Sequence, residues 1–138
     1  MDGRAFLDVA RELAAGSTAA HWRSSVGRSY YALFLEGRDL LQRWGFTPQR
    51  RDPVHSFVRL RFDYAADADL VVVGRRLDDL SRLRNTADYE LQSTAFVDDT
   101  EAQTSLSDAT DALARLDAVD ADPVRSATAI AGMRARWP

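Results

Sequence analysis

Residues 17–45 read STAAHWRSSVGRSYYALFLEGRDLLQRWG, and this stretch decides the fold. Apolar, aromatic or small residues recur along it in steps of three or four, at Trp22, Val26, Tyr30, Leu33, Gly37, Leu40 and Trp44. This spacing places all of them on one side of an α-helix. Ser17 is the predicted N-cap, and Gly45 is the predicted stop. The stretch therefore predicts one long helix of a helical bundle.

Helical periods continue on both sides of this stretch. A first helix is predicted to end at Gly16, and a third to begin with Asp52 as its N-cap and Pro53 as its first residue. Asp67 or Asp69 is the predicted cap of a fourth helix, whose inward stripe is Leu70, Val73, Leu77, Leu80, position 84, Ala87 and Leu91. The apolar run at residues 70–73 has no partner strand, so we expect no sheet.

Two more helical segments complete the chain. Asp99 is the predicted cap of a fifth helix, and Asp122 with Pro123 begins a final segment whose tip, residues 134–138, is predicted to be loose. The fold class is therefore all-α. We expect an antiparallel up-and-down bundle of four to five helices.

Length and composition limit the domain count and the chemistry. A chain of 138 residues is predicted to form a single domain over 1–138, with its core at about 5–117 and a C-terminal helical extension at 122–138. The chain has no cysteine and no lysine, which excludes thiolate sites and Schiff-base chemistry. Since it has only two histidines, we expect no metal site, and we expect no cofactor.

The charge is unevenly distributed along the chain. The net charge is −3, but residues 1–61 carry +4 while residues 62–97 and 98–138 carry −3 and −4. A basic first half permits an RNA or nucleotide partner, although surface arginines are usually only solvated. No long apolar run and no signal-peptide pattern occur, so we expect a cytoplasmic protein without a membrane role.

One position breaks the pattern of the fourth helix. Arg84 stands where the inward stripe asks for an apolar residue, and a buried unpaired charge costs several kcal/mol. We expect Asp88, at i+4, to pair with Arg84, and Asn85 to pair with Tyr89. This polar segment has two interpretations. In the first, it is an internal polar network that fixes either the helix register or a dimer seam. In the second, it is an anion-binding site.

The long helix supplies a counterpart to this segment. Arg28, Tyr30 and Tyr31 lie within about one turn of each other, and the tyrosines can act as core residues or as polar groups near Arg84. His55, in the first turn of the third helix, is a phosphate contact, a proton-transfer group or an exposed residue.

At these residues the sequence resembles the HEPN family, in particular its short stand-alone bacterial and archaeal branch. The matching segments are Arg28-Ser29-Tyr30-Tyr31-Ala32, His55-Ser56-Phe57 and Arg84-Asn85-Thr86-Ala87-Asp88-Tyr89, within roughly residues 5–117. The resemblance implies a helical bundle that forms a homodimer, with the two fourth-helix motifs facing a shared cleft. It also implies a nucleotidyltransferase as partner protein.

The resemblance assigns roles to individual residues. Catalytic members of the family are metal-independent RNases with an arginine, a polar residue and a histidine about one turn further on. Arg84 and Asn85 match this motif, whereas Tyr89 stands at the shortest spacing expected for the histidine. A tyrosine with an ordinary pKa of about 10 is a poor base at neutral pH.

Three functions follow as hypotheses. The first is a HEPN partner of a nucleotidyltransferase in a toxin-antitoxin-like or defence system, with Arg84, Asp88, Arg28 and Tyr31 binding nucleotide or RNA phosphate. The second is an RNase toxin in which Arg84 and Asn85 act with His55 or Tyr89. The third is a structural dimer or scaffold without catalytic activity.

Overall fold

The computed structural model describes residues 2–138, and over that range it is helical with no strand. Six α-helices pack together, with one 3-10 turn at Thr94–Phe96. They are α1 (Ala5–Ala14), α2 (Ala19–Arg43), α3 (Val54–Asp63), α4 (Ala68–Tyr89), α5 (Thr100–Asp120) and α6 (Pro123–Arg136). The predicted all-α class is confirmed. The number of helices is six rather than four or five, because the C-terminal segment is a full helix.

Most helix ends of the structure lie where the sequence predicts them. Gly45 follows α2 with a φ of 92°, the left-handed conformation that glycine adopts at little cost. The Asp67 carboxylate accepts hydrogen bonds from two backbone N–H groups at the start of α4, and Asp122 does the same for α6. These caps satisfy amide groups that have no partner inside the helix.

Two predicted caps are wrong. Thr18, not Ser17, caps α2, because its hydroxyl accepts a hydrogen bond from the backbone N–H of His21. Before α3, the Asp52 carboxylate accepts from the backbone N–H of Gln49 and so closes the preceding turn instead of capping the helix. Asp99 does precede α5 as predicted, but its side chain accepts no backbone hydrogen bond there.

The central element is α2, which packs against α1, α4 and α5. It runs antiparallel to α4, since Arg23 at its start bonds to the carbonyl of Ala87 and Tyr31 further along bonds to Arg84. Arg115 of α5 pairs with Asp69 at the start of α4, so these two helices are also antiparallel. This arrangement brings the polar end of α4 against the first half of α2.

The buried apolar residues form one large cluster and one small one. The large cluster takes residues from α2 to α6 and includes Leu33, Leu41, Phe62, Leu70, Val73, Leu113 and Met133, all almost fully buried. The small cluster, Val26, Ala87 and Phe96, lies at the end of α4. Leu91, predicted to continue the α4 stripe, is 74% exposed and lies beyond the helix end.

The C-terminal tip packs on α3 instead of being loose. Helix α6 continues to Arg136, and the Trp137 ring lies 4.7 Å from the guanidinium carbon of Arg61. The same guanidinium lies 3.4 Å from the centroid of the Phe57 ring. Cation–aromatic contacts of this kind attach the end of the chain to the bundle.

No helix in the described part of the chain is both long enough and apolar enough to cross a bilayer.

The close approach of α3 and α4 depends on Gly74. A Cβ atom at this position would lie 2.6 Å from the backbone nitrogen of Asp63 and 2.9 Å from its Cα. Backbone atoms cannot move aside as a flexible side chain does, so any larger residue would push the two helices apart. Gly74 therefore sets the separation of α3, which carries His55, from α4, which carries Arg84.

We predict that Gly74→Ala lowers the free energy of unfolding by about 1–3 kcal/mol, the usual cost of overpacking. The control is Gly132→Ala in α6, where a Cβ atom would meet nothing closer than 4.0 Å. This control is expected to be neutral or to stabilise the protein by up to about 1 kcal/mol through helix propensity. Urea unfolding followed by circular dichroism measures both. Equal stability of the two variants would contradict the close approach.

Candidate functional site

Arg84 is held against two tyrosine rings of α2. Its guanidinium carbon lies 5.2 Å from the centroid of the Tyr30 ring and 5.3 Å from that of Tyr31. Arg84 Nη1 donates to the Tyr31 hydroxyl at 2.6 Å, and Nη2 donates to Asn85 Oδ1 at 3.3 Å. Within residues 2–138 it forms no ion pair, so the predicted pair with Asp88 is wrong.

The Arg84 charge therefore lacks a carboxylate partner inside the bundle. Its Nε is buried and makes no hydrogen bond to another described group. Aromatic faces and a phenol oxygen compensate a guanidinium only partly, because neither carries a full negative charge. Arg28 adds a second guanidinium 5.6 Å from the Tyr31 ring, and it also has no ion pair within the described range. These two arginines surround Tyr31 with uncompensated positive charge.

His55 reaches the same region from the start of α3. Its Nδ1 is hydrogen-bonded to the Tyr30 hydroxyl at 2.5 Å, and its ring stacks on Phe34 with centroids 4.3 Å apart. Partial burial, and secondly the charge of Arg84, lower the pKa of His55 below its ordinary value. His55 is therefore mainly neutral at neutral pH. Its side chain is exposed, as one interpretation of the sequence expects, but these contacts hold its ring on one side.

A cleft of about 270 Å³ lies between α2, α3 and α4. Its lining residues are Tyr30, His55, Ser56, Arg59, Leu77, Asp78, Ser81, Arg82 and Asn85. Arg84 borders this cleft through Asn85, whose carbonyl oxygen it holds. The lining carboxylate, Asp78, pairs with Arg82 at 3.0 Å and lies 4.0 Å from Arg59. Arg59 also pairs with Asp63 at 2.8 Å, so both lining arginines have carboxylate partners. The cleft is thus rich in hydrogen-bond donors, and Arg84, next to the lining residue Asn85, is the nearby arginine without a carboxylate partner in the described part of the chain.

The end of α4 is fixed by Arg23. Its guanidinium donates to five backbone carbonyls, those of Thr86, Ala87, Glu90, Leu91 and Ser93, and it lies 4.6 Å from the Phe96 ring. Carbonyls at a helix C-terminus lack partners inside the helix and carry partial negative charge. Arg23 therefore terminates α4 directly after the polar segment.

The predicted site residues divide into two groups. Arg84, Asn85, Tyr31, Arg28 and His55 lie in one region, with Tyr30 connecting His55 to the tyrosine pair. Asp88 and Tyr89 lie outside it. Asp88 is exposed, and Tyr89 is 78% exposed, so the predicted pair of Asn85 with Tyr89 is also wrong.

Two contacts of the candidate site are absent from the sequence-based predictions. The bond between Tyr30 and His55 joins residues 25 positions apart, and the caps made by Arg23 span more than 60. One signal was present for the first, because Tyr30 and Phe34 share a helix face and both contact His55. Nothing local marks Arg23 as the terminating group of α4.

The donor set of the cleft suits an oxyanion rather than a metal. Across residues 2–138, no group of three or more His, Asp or Glu side chains is arranged to hold a metal ion. Guanidinium, amide and imidazole N–H groups instead match the oxygens of a phosphate or carboxylate. The arrangement is therefore equipped to bind an anion, with a neutral imidazole beside it.

Searches of protein-family models, curated proteins and solved structures find no significant match for this chain.

The His55 environment predicts a pH dependence of stability. Because the pKa of His55 is lowered in the folded state, the unfolded chain binds a proton that the folded chain does not. The stability associated with this group is complete above about pH 6.5, and it is lost as the pH falls towards the lower pKa of the folded protein. Thermal unfolding between pH 7 and pH 5 is expected to show a smaller loss of stability in His55→Gln than in the wild type. Identical pH profiles would contradict the assigned environment.

Proposed function

We propose that this chain is a HEPN-type protein that binds the phosphate of a nucleotide or of RNA at the cleft bordered by Arg84. The observation that carries the proposal is a guanidinium without an ion-pair partner, held beside a cleft whose free groups are mainly hydrogen-bond donors. The surroundings of Arg84 leave its charge uncompensated. A phosphate would supply the missing negative charge.

The neighbouring side chains support an anionic ligand. Asn85 uses its carbonyl oxygen to accept from Arg84, which leaves its amide N–H groups free to donate. Ser56 and Ser81 add hydroxyl groups to the lining, and Arg28 adds a second positive charge 5.6 Å from the Tyr31 ring. Aromatic rings next to the charged groups also suit a base or a ribose stacked beside the phosphate.

The experiment measures binding of a fluorescently labelled single-stranded RNA by anisotropy. We predict that Arg84→Ala and Arg84→Gln each weaken binding by at least about tenfold, the loss expected for one charge-assisted hydrogen bond to phosphate. The matched control is Arg75→Ala, which removes the same charge from an exposed position of α4. Circular dichroism establishes that each variant is folded.

Two outcomes contradict the proposal. One is a wild-type protein that binds neither the RNA nor a mononucleotide. The other is an equal loss of affinity in Arg75→Ala and the Arg84 variants, because that result reports only the overall charge of the helix.

A second candidate function is metal-independent RNA cleavage, and the observation that favours it is His55. A neutral imidazole in the cleft next to Arg84 is a suitable group for proton transfer, whereas Tyr89 is exposed and makes no contact with Arg84. Incubating total RNA with purified protein in EDTA tests it. Cleavage by the wild type that is lost in both Arg84→Ala and His55→Ala supports an RNase. Absence of cleavage by the wild type removes this candidate and leaves the binding function.

The family resemblance also proposes a homodimer and a nucleotidyltransferase partner. Two large side chains at the end of α4, those of Tyr89 and Leu91, are exposed, and so is that of Val97 after the 3-10 turn. Exposed apolar side chains of this kind favour a covered surface. In the proposed dimer, the α4 ends of two copies meet and the two Arg84 residues face a shared space. A purely structural dimer would use the same surface without binding RNA.

We predict that Leu91→Glu shifts the protein from dimer to monomer in sedimentation velocity. This side chain is 74% exposed, so the charge does not affect the core of one copy. The control is Val124→Glu, which places the same charge on a 75% exposed side chain at the start of α6. A monomeric wild type, or a shift in the control alone, would contradict the proposed dimer surface.

A further inference from the structure

We propose that Tyr30 fixes His55 as the Nε2–H tautomer, so that His55 serves the cleft as a hydrogen-bond donor to an anionic oxygen. Tyr30 is thus a positioning residue that acts through the imidazole. The tautomer follows from the hydrogen bonds around Tyr30, independently of any ligand. Its consequence for binding rests on the proposed function.

The Tyr30 hydroxyl keeps its proton at neutral pH. The Tyr30 side chain is 98% covered, with 2% exposed, and burial raises the pKa of its hydroxyl above the ordinary value despite the opposing charge of Arg84. The hydroxyl is therefore protonated at neutral pH and must donate to some acceptor, because a buried O–H without a partner is costly.

The acceptor for the Tyr30 hydroxyl is His55 Nδ1. Within residues 2–138 the Tyr30 hydroxyl has one hydrogen-bond partner, His55 Nδ1 at 2.5 Å. The lone pair of a neutral imidazole nitrogen is a good acceptor for a phenol O–H. Tyr30 therefore donates to Nδ1.

The hydrogen bond from Tyr30 determines the tautomer of His55. A neutral imidazole has one N–H, and an Nδ1 that accepts a hydrogen bond leaves the hydrogen on Nε2. His55 makes no second hydrogen bond to any residue from 2 to 138, so Nε2 is available to the cleft. Stacking on Phe34, with the ring planes 19° apart, holds the imidazole in this orientation.

Asn85 repeats this arrangement on the opposite wall. Arg84 occupies its carbonyl oxygen and leaves its N–H₂ group for the cleft, just as Tyr30 occupies Nδ1 and leaves Nε2–H. Two side chains that can in principle accept are both presented as donors. Both side chains thereby favour an oxyanion as ligand, and His55 meets it with an N–H donor.

The tautomer is measured directly by long-range ¹H–¹⁵N correlation of the imidazole nitrogens in the free protein. We expect a protonated Nε2 and an unprotonated Nδ1 in the wild type and in Tyr31→Phe, which removes the neighbouring hydroxyl. Tyr30→Phe is expected to lose this preference and to give a mixture of the two tautomers. A wild-type spectrum with the hydrogen on Nδ1, or an unchanged spectrum in Tyr30→Phe, would overturn the proposal.

The role as donor is tested by two substitutions of His55. The amide of glutamine places an N–H near the position of Nε2, whereas the shorter amide of asparagine replaces Nδ1. For the same single-stranded RNA, we expect His55→Gln to bind within about threefold of the wild type and His55→Asn to bind about tenfold more weakly. Equal losses in the two variants would show that Nε2–H does not bind the anion.

The two measurements separate this inference from the proposed function. Loss of binding in Arg84→Gln together with an Nδ1–H tautomer leaves the anion site in place and removes the role of Tyr30. If the protein shows the expected tautomer but binds no RNA, the role of Tyr30 remains and the proposed anion site is removed.

Discussion

The partly buried charge of Arg84 organises the contact between α2 and α4. A guanidinium inside a helix interface is tolerated only where aromatic faces and hydrogen-bond acceptors surround it, and α2 supplies both in Tyr30 and Tyr31. These contacts set the register of α4 against α2. Arg23 then fixes the end of α4 a few residues beyond.

The same contacts determine the chemistry of the cleft. Most arginines of the basic first half face carboxylates or solvent, and Asp63 and Asp78 compensate Arg59. Arg84 and Arg28 have no such partner in the described chain. Because their acceptors are neutral oxygens and rings, the positive potential remains available to a ligand. His55 is neutral beside this charge, because Arg84 would repel a protonated imidazole.

Sequence patterns predicted the local features of the fold and missed the long-range ones. The stripe of α2, the stop at Gly45 and the caps Asp67 and Asp122 depend on residues within one or two turns, so periodicity and cap chemistry predict them. The partner of Arg84 was misassigned because the rule for i,i+4 pairs considers one helix alone. The hydroxyl that binds Arg84 lies 53 positions away on a neighbouring helix. The exposed position of Leu91 has the same origin, because Arg23 ends α4 before the apolar period is complete.

Most of the candidate site residues were nevertheless recognisable. Arg84 was identified because it violates the apolar stripe, and Tyr31, Arg28 and His55 because aromatic and basic residues recur near it in the helical pattern. Tyr30 was assigned only as a core residue or a polar group near Arg84, since a buried tyrosine ordinarily packs in the core. Its role depends on where α3 lies, and Gly74 sets that position through the contact of α3 with α4.

The most direct test of the account is a crystal structure of the protein with a short single-stranded RNA. We predict a phosphate within hydrogen-bond distance of the Arg84 guanidinium, the Asn85 amide nitrogen and His55 Nε2. RNA bound on another face, with the cleft empty or filled by side chains of a second copy, would contradict it.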